Sequence, residues 1–191
     1  MDNYNFLKIN LISKRITFFL ISFIFVMQIC TAQANKPTIS DAEESVVFIK
    51  DNISSFDSLK QMFRERVVYV DIWATWCAPC RREFKYKQPL QEYAKANNIV
   101  LLYISGDKPK DEPKWKEIVL KNKLSGYHIR MNDKLKADIK QKFARPLKSS
   151  GELALIYPTY IILDKFGNIL ENIPKPSNYV EVLRELEKLD K

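Results

Sequence analysis

Histidine, cysteine and glycine are all scarce in this chain, at one, three and four residues among 191. The single histidine, His128, and the cysteines Cys30, Cys77 and Cys80 fall short of the four-ligand sets of structural zinc sites, so no metal site is expected. The low glycine content excludes a collagen-like chain, and ordinary apolar and charged fractions exclude a coiled coil or wholesale disorder. The net charge is +8, but the lysines are spread among Asp and Glu. No basic block interleaved with aromatics appears, so no nucleic-acid partner is expected. Internal repeats and low-complexity tracts are absent. No apolar run reaches the about 20 residues of a comfortable membrane span; the longest runs from Ile16 to Ile29.

That short apolar run follows Lys8, Lys14 and Arg15 and precedes Ala32-Gln33-Ala34. Positive start, short apolar core and small-x-small end have the form of a secretory signal peptide over residues 1–34, cleaved after Ala34. The protein is then exported to the periplasm or cell envelope. An uncleaved membrane anchor and a lipidated Cys30 are the alternatives, although Gln28 and Ile29 stand where lipidation needs small residues. A linker over residues 35–44 and one domain over residues 45–191 follow, and a domain of this size buries a core without staples. Cleavage removes Cys30 and leaves Cys77 and Cys80 as the only thiols. A loop as short as theirs constrains little of the unfolded chain, so the pair is reactive rather than a staple.

The patterning predicts alternating strands and helices. Val46–Ile49 is a short first strand and Ser55–Arg64 a helix. Val67–Trp73 and Ile99–Ser105 are nearly unbroken apolar runs, the signature of strands buried on both faces. A long helix is expected from Cys77 to about Asn97, bent near Pro89. Helices at Pro113–Lys123 and Asp133–Phe143 flank a short strand at Tyr127–Arg130, and Arg145–Glu152 reads as a loop. Thr159–Leu163 and Ile169–Ile173 form a hairpin before a last helix, Tyr179–Leu189. The order implies an α/β fold with a central mixed sheet flanked by helices.

The chemistry concentrates at Trp76-Cys77-Ala78-Pro79-Cys80. A C-x-x-C at a strand-to-helix junction puts the first cysteine where free helix N–H groups favour an anion, which lowers its thiol pKa. Pro79 is tolerated because first-turn N–H groups have no intrahelical acceptor. Cys77 is therefore the nucleophile and Cys80, about one turn on, the resolving thiol. Arg81 and Arg82 read as solvated helix residues, His128 as a structural or surface histidine, and the charges from Lys108 to Glu117 as a solvated loop and helix start. Asp71 is a lone carboxylate in an apolar strand; burial raises its pKa and suits it to exchange a proton with Cys80. The reading requires two sulfurs close enough to bond and reachable by a client.

The stretch Val70-Asp71-Ile72-Trp73-Ala74-Thr75-Trp76-Cys77-Ala78-Pro79-Cys80 resembles the active-site strand and helix start of thioredoxins. Tyr157-Pro158-Thr159, the strand Tyr160–Leu163 and Asp164-Lys165-Phe166-Gly167 are similar to that superfamily's cis-proline strand and hairpin. The longer stretch between these motifs resembles the exported TlpA/ResA-like branch, and the likeness covers residues 46–189. It implies a thioredoxin-like fold with an N-terminal strand and an inserted helical segment. It also implies thiol–disulfide oxidoreductase activity without a cofactor, acting as a reductant on disulfide-containing or thiol client proteins. A membrane thiol-donor protein would re-reduce it, and the chain would act as a monomer. By the same resemblance Asp71 matches the buried acid and Pro158 the cis-proline. Tyr157 and Trp76 would then touch substrate beside the Cys77–Cys80 redox-active disulfide. At Ala78 the sequence departs from the ResA pattern, which carries an acidic residue there, so the resemblance gives weaker support to the narrow role in haem-protein maturation. The alternatives are a binding module or chaperone without turnover, and a thiol oxidase. The T-x-x-C spacing of peroxiredoxins is absent.

Overall fold

The computed structural model describes residues 46–50 and 52–189. The expected signal segment, Cys30 and the 35–44 linker lie outside the described residues. Six strands form one sheet, in the order β1-β4-β3-β2-β7-β8. They are β1 (Val46–Phe48), β2 (Val68–Trp73), β3 (Val100–Ser105), β4 (Gly126–Arg130), β7 (Thr159–Leu163) and β8 (Ile169–Leu170). The pairings β1–β4, β4–β3 and β3–β2 are parallel. Those of β2 with β7 and β7 with β8 are antiparallel, which makes the sheet mixed, as expected.

Every residue of β2 and β3 is buried. Side chains alternate across a strand, so each contributes to two cores. Tyr69 and Trp73 of β2 face one core with Tyr103, Trp115, Cys77, Cys80 and Phe84. Val68, Val70 and Ile72 face the other, with Leu102, Ile104, Leu135 and Ile139. Helices α2 (Ala78–Glu83), α3 (Gln88–Ala96), α4 (Glu112–Lys121) and α6 (Tyr179–Glu187) cover the first face. Helices α1 (Phe56–Met62) and α5 (Asp133–Phe143) cover the second. Local capping starts α1 and α5. Ser55 Oγ accepts from the Ser58 N–H and Asn132 Oδ1 from the Leu135 N–H, satisfying orphan first-turn donors.

The structure departs from the sequence-based expectation in three places, the simplest being the expected strand Ile169–Ile173, which ends at Leu170 ahead of Asn172 at φ +62. The long helix after Cys77 is broken ahead of Pro89 rather than bent at it: α2 ends at Glu83, a 3₁₀ turn spans Phe84–Tyr86, and Pro89 opens α3 in its first turn. The cause is Pro89 itself. It has no N–H to give Lys85 and its ring crowds that carbonyl, so α-helical bonding stops one turn earlier. The expected loop 145–152 is the core of a small hairpin, in which β5 (Arg145–Pro146) pairs with β6 (Leu153–Ala154). Its strands have only two residues each, too short for a period-2 pattern to register.

Gly126, the first residue of β4, has φ +124, and a Cβ there would stand 2.5 Å from the Leu101 carbonyl oxygen. Gly126→Ala is expected to cost about 2 kcal/mol through strain and backbone overlap. In urea titrations the midpoint falls while the m-value stays unchanged.

Candidate active site

Strand β2 ends at Trp73, and Ala74-Thr75-Trp76 carries the chain to Cys77, the N-cap of α2. Cys77 and Cys80 are disulfide-bonded, with S–S 2.01 Å and Cα–Cα 5.3 Å. The Cys80 N–H donates to Cys77 Sγ at 3.2 Å. This first-turn donor is the group that stabilises negative charge on Cys77 when the bond is open. Cys77 is 4% exposed and Cys80 1%, so the sulfurs are covered more closely than a motif at a helix mouth suggests. Ala74 and Phe84 share their core, and Tyr157 packs against it. The residues that flank Cys77 in the chain, Trp76, Ala78 and Pro79, are exposed.

Asp71 lies two residues from both Tyr69 and Trp73 on β2 and so faces the same side of the sheet as the disulfide. It is buried, as expected, but it is not a lone carboxylate. The Lys87 ammonium, itself 1% exposed, sits 2.7 Å from Asp71 Oδ2. Tyr69, Tyr103 and Tyr160 surround that ammonium, with ring centres 5.1, 4.8 and 5.6 Å from it. Burial raises the Asp71 pKa, and the Lys87 charge opposes that rise. Burial lowers the Lys87 pKa, and Asp71 opposes that fall. Sequence reasoning missed Lys87. The available signal was its phase: Cys77, Cys80, Phe84 and Lys87 recur at three- and four-residue steps, which places the lysine on the buried stripe.

A second buried acid was also missed. Asp107, just past β3, accepts from the Thr75 N–H at 2.9 Å, the Thr75 hydroxyl at 2.7 Å and the Ser105 hydroxyl at 2.6 Å. No local pattern marks it, because its partner Thr75 is 32 residues away and the charges that follow it are solvated.

Pairing of β7 against β2 brings Thr159 opposite Ile72, so the residues just before β7 arrive beside the end of β2. Pro158 follows a cis peptide bond from Tyr157. Tyr157 meets Trp76 edge-on, with ring centres 5.2 Å apart, while Trp76 remains 62% exposed. Burial and the Asp107 carboxylate push the Tyr157 phenol up to about 12. His128 lies away from this chemistry. It is buried, stacked on Tyr103 at 4.6 Å and hydrogen-bonded through Nε2 to the Leu124 carbonyl. Burial lowers its pKa to about 4, so it is neutral at ordinary pH. Arg81 and Arg82 are exposed, as expected.

A mixed sheet with a cysteine pair at the start of the helix after β2, and a cis-proline opening the neighbouring antiparallel strand, defines a thioredoxin-fold protein with a dithiol–disulfide centre. Solved structures agree on the fold. The thioredoxin domain of a thiol–disulfide oxidoreductase from Bacteroides vulgatus superposes with TM-score 0.54 at 19% identity, over 69% of this chain and 84% of that one. A thiol–disulfide oxidoreductase from Bacteroides fragilis superposes with TM-score 0.51 at 27% identity, over 66% of this chain and 83% of that one. The Redoxin family pattern matches residues 33–186, and the chain belongs to that family. Thiol–disulfide oxidoreductase ResA of Bacillus thuringiensis subsp. konkukian is 23% identical over 132 residues, 66% of this chain and 65% of the relative's own length.

Proposed function

We propose that this protein is a thiol–disulfide oxidoreductase that reduces disulfides of client proteins in the cell envelope. The observation that carries the reading is the Cys77–Cys80 disulfide at the start of α2, with the Cys80 N–H directed at Cys77 Sγ. In the reduced protein the Cys77 thiolate attacks one sulfur of a client disulfide. A Cys77–client mixed disulfide forms and the client's other sulfur leaves as a thiolate, taking up a proton. Cys80, deprotonated as it attacks, displaces the second client sulfur and closes the Cys77–Cys80 bond. The client gains two electrons, both from the protein, and two protons, of which one is balanced by the proton Cys80 gives up and the other comes from solvent.

Asp71 is the group we assign to take the Cys80 proton, because burial raises its affinity for protons and it faces the disulfide's core. Trp76, Tyr157 and Pro158 form the client-binding rim. The backbone of Tyr157 pairs with an extended client segment as an added strand, and the exposed Trp76 ring covers the client's sulfur. A membrane thiol-donor protein returns the electrons, and the protein acts as a monomer. Export rests on the signal pattern of residues 1–34.

The test combines turnover with direction. The protein, with dithiothreitol as electron source, is expected to accelerate insulin disulfide reduction. Its equilibrium with glutathione should give a potential near the reducing end of the superfamily, about −270 mV. A value near about −120 mV would reverse the direction to client oxidation. Absence of turnover would leave a binding module.

A further inference from the structure

The turn Ser105-Gly106-Asp107 at the end of β3 contacts both Thr75 and Tyr157, and none of its residues has a part in the chemistry above. The Gly106 N–H donates to the Trp73 carbonyl at 2.8 Å, tying the turn to the end of β2. Asp107 grips Thr75 through backbone and hydroxyl, one residue before Trp76. Ser105 braces Asp107 from below, its hydroxyl 2.6 Å from Oδ2. On the other side, the tip of the Tyr157 ring rests on Gly106. A Cβ at that position would overlap Tyr157 Oη and stand 2.8 Å from Cζ and 3.0 Å from Cε1. Tyr157 in turn meets Trp76 edge-on.

We propose that this turn gauges the client entrance: Asp107 anchors the Trp76 side through Thr75, and bare Gly106 provides the seat that holds the Tyr157 ring back from the client's path. The inference rests on the reading of Trp76 and Tyr157 as the client rim. The missing side chain at Gly106 is what makes it specific. Close packing leaves no room for a methyl group without moving the ring. The ring, as the far end of a side chain, moves more readily than the Thr75–Asp107 clamp. A methyl group there is therefore accommodated by moving the ring, whose other edge contact is Trp76. A protein segment that must lie along the rim loses its place, whereas a small disulfide, which needs only the Cys77 sulfur, does not.

The experiment measures kcat/KM of the full chain on a protein disulfide (insulin) and on 2-hydroxyethyl disulfide, for wild type, Gly106→Ala, Tyr157→Ala and the double variant. Gly106→Ala is expected to lower the insulin value about tenfold and the small-disulfide value less than about twofold, since sub-ångström misplacement is felt where a client must be oriented. In the Tyr157→Ala background, adding Gly106→Ala should change nothing further, because the overlap has no partner left. A merely structural role for Gly106 would instead lower both substrates together and persist in the double variant, and either outcome overturns the proposal. The double variant lacks the overlap, so it keeps the comparison available if Gly106→Ala alone folds poorly. If Tyr157→Ala leaves insulin kcat/KM unchanged, the rim reading falls and the gauge with it. If Tyr157→Ala lowers it while Gly106→Ala does not, the gauge alone is wrong.

Discussion

Cys77→Ser is expected to lower insulin reduction by at least about a thousandfold, because the attacking sulfur is gone and a serine hydroxyl at neutral pH is not an alternative nucleophile. Cys80→Ser should also lose turnover, but by a different route. Cys77 still attacks, and no thiol remains to displace the client, so a Cys77–client mixed disulfide accumulates. Non-reducing gel electrophoresis separates the two: a thiol-sensitive adduct appears with Cys80→Ser and not with Cys77→Ser. The order of roles follows from the geometry. Cys77 is the more exposed of the pair, and it receives the Cys80 N–H. Adducts on Cys80 in a Cys77→Ser variant would overturn the assignment.

Lys87→Met is expected to cost about 3–5 kcal/mol, the usual penalty for leaving one member of a buried pair without its partner. The tyrosine cage makes the loss larger than for a surface pair, since Tyr69, Tyr103 and Tyr160 offer Asp71 no positive charge in exchange. The pH dependence has a definite sign. Asp71 already binds its proton more tightly in the folded protein than its ordinary value of 3.8, and losing Lys87 strengthens that preference. Above that ordinary value the folded variant then holds a proton that the unfolded chain has released. Its stability falls as pH rises until the raised folded pKa is passed. Urea midpoints of Lys87→Met relative to wild type should therefore be lower at pH 8 than at pH 5. Asp71→Asn combined with Lys87→Met should recover much of the loss, because no buried charge remains. The same single variant moves the pH profile of client release upward if Asp71 takes the Cys80 proton. A stability loss that is unchanged by pH, or is not reduced in the double variant, would show that the ion pair is not the cause.

Much of the fold was legible because its signals are local. The helix Asp133–Phe143 appears with the ends its periodicity predicts, and β2 and β3 appear where apolar runs demand strands buried on both faces. The misread segments fail for equally local reasons. Pro89 acts on the turn before it, and the β5–β6 hairpin is too short to show alternation.

What the chain alone determined was the reacting pair and its setting. Cys77, Ala78, Pro79 and Cys80 are contiguous, and the strand and helix that frame them are written into neighbouring residues. What tertiary structure alone decided was who stands around that pair. Lys87 reaches Asp71 across a broken helix, Asp107 reaches Thr75 from the next strand, and the Tyr157 ring settles on Gly106 only because β7 runs antiparallel to β2. These partners are chosen by packing between elements distant in sequence. Each side chain taken by itself reads as an ordinary solvated charge, loop residue or core aromatic until burial removes the water that would otherwise satisfy it.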